Sequence, residues 1–217
     1  MRSRFAPSSY VLAAILLIGA ISVSGTLWQL GEARQAQMAQ AGSQSGSQSS
    51  GQTGVADVGG PFSLIDQDGV RRTDQDFHGR YMLVFFGFTY CPDVCPTTLA
   101  ILSAALDEVG PAAENIVPVL ITVDPARDTP EALKPYLSSF GPNFVGLTGT
   151  EEEIAAVADA YHAYYEIVES EGGDYTLNHS TAIYLMGPDG KFVNNYSLNM
   201  GPDEIAEDLK RLPPVKS

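Results

Sequence analysis

Cysteine is nearly absent from this chain of 217 residues, where Cys91 and Cys95 are the only two. Two sulfurs exclude a multi-disulfide scaffold and a four-thiolate zinc site, so whatever these cysteines do, they do as a pair. Basic residues are scarce as well, 12 Lys and Arg against 26 Asp and Glu, which gives a formal net charge of −14. A surface of that sign repels phosphate backbones instead of releasing their counterions, so nucleic acid is not expected as a partner. Histidine occurs at three positions, His78, His162 and His179, and few residues are therefore on hand to complete a metal site. With 44% apolar and 9% aromatic residues the chain still has the material for one ordinary core, which excludes full disorder.

Charge is missing altogether between Val11 and Leu30, and 20 residues in a helix cover about 30 Å, one hydrocarbon core. The run predicts a transmembrane anchor over 11–30. Arg2 and Arg4 in front of it mark residues 1–10 as a short cytoplasmic N-terminus. The alternative is a cleaved leader, because Ala39-Gln40-Ala41 has the small-x-small pattern. Leader apolar regions are about 7 to 15 residues long and adjoin their cleavage site, which favours the anchor. Residues 31–55, rich in Gln, Ser and Gly and without an aromatic, read as a flexible linker. Residues 56–217 then form a single-core domain on the outer side of the membrane. The absence of an Arg-rich amphipathic leader favours a bacterial protein, which predicts a single-pass inner-membrane location with the C-terminal domain in the periplasm.

Within 56–217 the pattern predicts strands alternating with helices. Residues 62–66 and 70–73 flank Gln67-Asp68-Gly69, a hairpin signal, and 81–88 (YMLVFFGF) is an apolar run of the kind buried on both faces of a sheet. A helix is expected over 94–109. A second buried strand follows in 116–123, with Pro118 arguing for a start nearer Val119. Thr129 and Pro130 open another helix, 144–147 reads as a short strand, and Thr150 with Glu153 forms a capping box opening a helix through about Tyr165. Residues 181–186 and 192–196 bracket the turn Gly187-Pro188-Asp189-Gly190, and a last helix is expected over 202–211. The order predicts an α/β domain, a mixed sheet covered by helices on both faces.

The informative segment is Phe88-Thr89-Tyr90-Cys91-Pro92-Asp93-Val94-Cys95-Pro96-Thr97, where a buried strand passes into a helix. Helix N-termini stabilise thiolates, so lowered thiol pKa values are expected at this junction. If 91–95 form the first turn, both sulfurs share one face with Cα atoms about 6 Å apart, a spacing open to a disulfide or to chelation of one metal ion. His179 is expected in a loop before the strand 181–186. Should that strand run antiparallel to 81–88, its start faces the cysteines and brings His179 beside them. His162 reads as a half-exposed helix residue and His78 as a loop residue. Two sulfurs and one imidazole with an open position suit copper or zinc, and sulfur-rich, low-coordinate ligation favours copper(I). Asp124 and Arg127 follow a central strand; Asp124 either orients a ligand or partner, or caps its loop while Arg127 pairs with a carboxylate. The stretch Tyr161-His162-Ala163-Tyr164-Tyr165 reads as a packed helix face.

Three segments in order, FFGFTYCPDVCPTTL (85–99), ITVDPARDTP (121–130) and NHSTAIYLMGPDGKFV (178–193), resemble those of the Sco (also called SenC) family of copper chaperones, which help assemble the binuclear copper centre of cytochrome c oxidase. The resemblance implies a thioredoxin-like fold, an N-terminal membrane anchor, and one copper ion, Cu(I) or Cu(II), bound by Cys91, Cys95 and His179. Its implied partner is the copper-centre subunit of the oxidase, with other copper carriers or thiol reductants beside it. The chain departs from the family at Asn178, where Asp usually precedes the histidine.

Copper delivery is thus the first functional expectation. A thiol-disulfide oxidoreductase, with Cys91 and Cys95 as its redox-active pair, is the second. The VCPT segment (94–97) also suggests peroxide reduction, but Pro92 stands where a threonine would be expected three positions before the cysteine. His179 separates the first two, being necessary for a metal and dispensable for disulfide exchange.

Overall fold

The computed structural model describes residues 58–169 and 174–215. The expected anchor 11–30, the linker 31–55 and the cleavage pattern at 39–41 lie outside the described residues. Among the described residues, no helix is long and apolar enough to cross a membrane.

A seven-stranded mixed sheet organises the domain. Strand β1 (Ser63–Asp66) and β2 (Arg71–Thr73) pair as the expected antiparallel hairpin, closed by the Asp66 carboxylate, which accepts from the Asp68 and Val70 N–H groups at 2.9 and 2.8 Å. Strand β3 (Tyr81–Gly87), every residue of it buried, leads into α1 (Val94–Val109), which crosses back to β4 (Ile116–Thr122), parallel to β3. Helix α2 (Pro130–Ser138) and β5 (Val145–Thr148) follow, and β5 joins the other side of β4. After α3 (Glu151–Ala160) come β6 (Tyr165–Glu169), β7 (Tyr175–His179), β8 (Ile183–Met186), β9 (Phe192–Tyr196) and α4 (Pro202–Leu209). The sheet order is β2-β1-β5-β4-β3-β8-β9, while β6 and β7 form a separate two-stranded ribbon.

Helices cover both faces, as the strand–helix alternation predicted. On one face α1 brings Cys95 and α2 brings Leu133 and Leu137 against the backbone at Gly87 and Gly146, and α4 packs against α1. On the other, Tyr161 at the end of α3 sets its ring edge-on to Phe86 and Tyr184. A parallel βαβ unit joined to an antiparallel hairpin, with helices on both faces, is a thioredoxin-like arrangement.

Five expectations need correction. Pro118 lies inside β4, paired with Leu83, rather than before its start. Strand β5 joins only from Val119, so at Pro118 the strand has a neighbour on one side, the setting in which a proline is tolerated. Helix α3 ends at Ala160, not near Tyr165. His162 adopts φ +53°, its N–H bonds the Asp159 carbonyl and the Ala163 N–H bonds the Ala158 carbonyl, a Schellman ending with histidine in the place usually held by glycine. Tyr165 therefore opens a strand, and the aromatic stretch is no helix face: Tyr161 is in the core and Tyr164 is exposed. His179 ends strand β7 instead of lying in a loop, and the final helix stops at Leu209.

Candidate metal centre

Strand β3 is apolar throughout and ends in Gly87, and this sets the floor of the site. The Phe88 ring is buried behind it, and the chain turns at Thr89 and Tyr90, with the Cys91 N–H on the Phe88 carbonyl at 3.3 Å. The turn is fixed from below by Asp128, which is fully buried. Its carboxylate accepts from the Thr89 N–H and hydroxyl and from the Thr122 hydroxyl, tying the cysteine loop to the end of β4. Burial raises the Asp128 carboxyl above the usual range against the lowering effect of these bonds.

Cys91 stands on the loop, one turn ahead of the helix, and Cys95 lies in the first turn of α1, so the pair does not share a helical turn as the spacing had allowed. Cys95 is fully buried and Cys91 half-buried, and both are free thiols. The Cys95 N–H donates to Cys91 Sγ at 3.4 Å. The expected lowering of thiol pKa fails at Cys95. Burial pushes that thiol well above its usual range, assisted by charge on Cys91 and Asp128, and the hydrogen bond at the Phe88 backbone is too weak to reverse it.

The antiparallel pairing of β8 with β3, Phe85 opposite Ile183, carries the end of β7 over the cysteines. His179 Nε2 lies 3.4 Å from Cys95 Sγ, and its ring is held edge-on by Phe85 and Phe88 at centroid distances of 5.8 and 5.7 Å. Nδ1 is 2.9 Å from the Ser180 carbonyl, an acceptor only, so Nδ1 carries the proton and Nε2 turns a lone pair to the sulfurs. Among the described residues, Cys91, Cys95 and His179 form a cluster with all donor atoms within 4.8 Å of one another. Metal–sulfur and metal–nitrogen bonds of about 2.0 to 2.3 Å set donors at most roughly 4.6 Å apart, which matches a cluster of this size around one ion.

Other sequence-predicted residues stay outside this cluster. Asp124 is buried and takes the loop-capping role: its carboxylate accepts from the Arg127 guanidinium and from the Tyr175 hydroxyl, and its carbonyl accepts the Arg127 and Asp128 N–H groups. Asn178 is exposed and precedes His179 on a strand, so the two side chains leave opposite faces, and the ring's partner is the Ser180 carbonyl. His78 closes the turn before β3. Gly87 was also open to recognition, since an isolated glycine inside an apolar strand signals close approach of another group. Tyr175 carries no such signal, because its role rests on a ribbon that the hydrophobic pattern does not reveal.

The description SCO1/SenC belongs to the family model that matches residues 50–213. The mitochondrial SCO1 homolog 1 of Arabidopsis thaliana is 44% identical over 157 residues, 72% of this chain and 47% of that protein. The chain spans about half the length of the first curated relatives it matches. The structure of Bradyrhizobium japonicum ScoI with copper bound is 48% identical, with a TM-score of 0.67 over 71% of this chain and 98% of that one. BsSco, described as having a disulfide switch and as a member of the Sco family of cytochrome c oxidase assembly proteins, is 27% identical, with a TM-score of 0.56 over 71% of this chain and 92% of that one.

Proposed function

The chain belongs to the SCO1/SenC family, and from that premise we propose that it carries one copper ion on Cys91, Cys95 and His179 and delivers it to the binuclear copper centre of cytochrome c oxidase. The single observation that carries the reading is the convergence of two free thiols and one imidazole, its Nδ1 on the Ser180 carbonyl, with donor atoms within 4.8 Å of one another. Two sulfurs and one nitrogen are a donor set for copper, and copper is what the matching Bradyrhizobium protein holds. Cys95 is protonated at neutral pH, so uptake of the ion displaces its proton. Delivery then proceeds by ligand exchange. Cys91, half-buried on its loop, is the ligand an incoming donor reaches, whereas Cys95 is released from within. Metal analysis of the purified protein with thiols kept reduced tests this: one copper per chain is expected, and none after full oxidation of the pair. Copper binding unchanged by a Cys91–Cys95 disulfide overturns it.

The partner in this reading is the copper-centre subunit of the oxidase. The domain reaches it from a single-pass anchor at 11–30 and a linker at 31–55, with residues 56–217 in the periplasm of a bacterial inner membrane. The uncharged run and the arginines in front of it support this topology. Protease added to spheroplasts should remove the domain; recovery of a mature chain beginning at Gly42 would replace the anchor by a cleaved leader.

A second reading is favoured by the disulfide switch described for BsSco. Here Cys91 attacks a partner disulfide, Cys95 resolves the mixed disulfide, and a Cys91–Cys95 bridge is left beside a reduced partner dithiol. The two readings divide at His179.

A further inference from the structure

The ribbon β6–β7 carries the imidazole but pairs with no strand of the main sheet, and only Leu177 of it is fully part of the core. A cleft of about 330 Å³ lined by Pro125, Ile154, Ile167, Tyr175 and Leu177 runs between the ribbon and the body. With no hydrogen-bonded neighbour in the main sheet, β7 takes its position from side-chain contacts, and a shift of the strand would carry His179 with it.

Tyr175, Leu177 and His179 share one face of β7, the face turned toward the body. Leu177 is buried and His179 sits between Phe85 and Phe88. Tyr175 lies on Arg127, whose guanidinium carbon is 3.8 Å from the centre of the ring. The same guanidinium lies 4.7 Å from the ring of Tyr90, the neighbour of Cys91, and 6.0 Å from Phe88. Its Nε bonds Asp124, and Nη1 donates to the Tyr175 carbonyl at 3.1 Å and meets Asp174 at 3.5 Å. Nη2 is buried without an acceptor, in a group whose faces are covered by rings. Tyr175 closes the circuit by donating its hydroxyl to Asp124 at 2.8 Å.

We propose that Arg127 is a positioning residue for the copper site: held by Asp124 and placed against the rings of Tyr90 and Tyr175, it fixes β7 to the cysteine loop and so sets His179 relative to the two thiols before the ion arrives. The role rests on the reading that these three residues hold copper. It needs a planar cation that stacks and donates at once, which lysine is not. Loss of the clamp leaves all three ligands in place but frees one of them to wander. Removing a group that orients a ligand weakens metal binding by about 10- to 100-fold.

The test uses the reduced protein with Cu(I), and follows release to a chelator together with the proton spectrum of the His179 ring in the metal-free state. Arg127→Lys and Arg127→Met should release copper about 10- to 100-fold faster, and should move or broaden the His179 ring signals without any metal. Tyr90→Ala removes one covering ring at an exposed residue, so the fold survives it, and a smaller shift of the same kind is expected. Folded Arg127→Met with parental ring signals and release rate overturns the proposal; should that variant unfold, parental behaviour of Tyr90→Ala overturns it. His179→Ala serves as the reference. Unchanged copper release in His179→Ala overturns the ligand assignment itself, an outcome distinct from failure of the clamp.

Discussion

A β-carbon on Gly87 would lie 2.8 Å from Cys95 Sγ and 2.8 Å from the Phe85 ring. The end of β3 is thus the surface on which the buried sulfur rests, and it is flat because glycine is there. Gly87→Ala has to move the sulfur, the ring or the strand. Overpacking of this size costs about 1 to 3 kcal/mol, and displacement of Sγ should also weaken copper binding. Denaturant unfolding of the metal-free protein and a copper competition assay would read the two effects; unchanged copper affinity would mean that the site relaxes around a methyl group.

Burial of Cys95 has a signed consequence for stability. A thiol whose pKa is raised by folding stabilises the native state below its ordinary pKa, and the contribution is lost as pH rises above that value. The loss begins at about pH 8.5, the ordinary thiol value, and continues upward; from about pH 9 tyrosines ionising in the unfolded chain add to it, so the share of Cys95 is read by difference. Metal-free, reduced protein should therefore lose stability across this range, and Cys95→Ala should show a flatter dependence. Equal slopes in the two proteins would refute the assignment.

Much of the site was legible because it depends on strand order. The apolar run of β3 and the antiparallel return of β8 were sufficient to bring His179 near Cys95, even though β7 itself was read as a loop. The ribbon escaped because Glu166, Ile167 and Glu169 are exposed, so no alternation of buried and exposed residues marks β6. The end of α3 escaped because His162 stands where glycine or asparagine would announce a left-handed cap. The direction of the Cys95 shift was missed for another reason. A helix start can be read from a sequence, but the depth at which it is buried cannot, and at full burial desolvation exceeds the helix-terminus effect.

The first hairpin gives a prediction remote from the metal. Asp66 is buried, which by itself would raise its carboxyl; the Arg72 guanidinium at 2.7 Å and the Val70 and Asp68 N–H groups outweigh burial and hold it below the usual range. A depressed carboxylate stabilises the fold above its ordinary pKa, and this is lost as pH falls through the lowered value. Asp66→Asn should cost ~1 to 3 kcal/mol at neutral pH and flatten the acid limb of the stability curve. Copper binding should be untouched, and a change in it would reveal coupling between the sheet edge and the site.

Asn178, the one departure from the family pattern in the metal-histidine segment, should have little influence on the ion. Its side chain leaves the face of β7 opposite to the imidazole, and the Ser180 carbonyl already holds Nδ1. Asn178→Asp is expected to leave copper affinity within about twofold, the small effect usual for an exposed position. A large tightening would show that a carboxylate at 178 reaches the ring.

His179→Ala parts the two functions. It removes the imidazole whose Nε2 stands 3.4 Å from Cys95 Sγ, while Cys91, Cys95 and the Asp128 anchor under their loop remain. With one of three donors gone, and neither His78 nor His162 within the cluster, copper binding should fall by at least 100-fold, beyond the range seen when only an orienting group is lost. Disulfide exchange draws on the cysteines alone, so its rate should stay near the parental value. Oxidase copper-centre assembly in cells carrying the variant is the deciding measurement. Failed assembly with intact exchange in vitro means that delivery is the work of this protein. Normal assembly with His179→Ala, together with failure in Cys91→Ser, would transfer the function to thiol reduction.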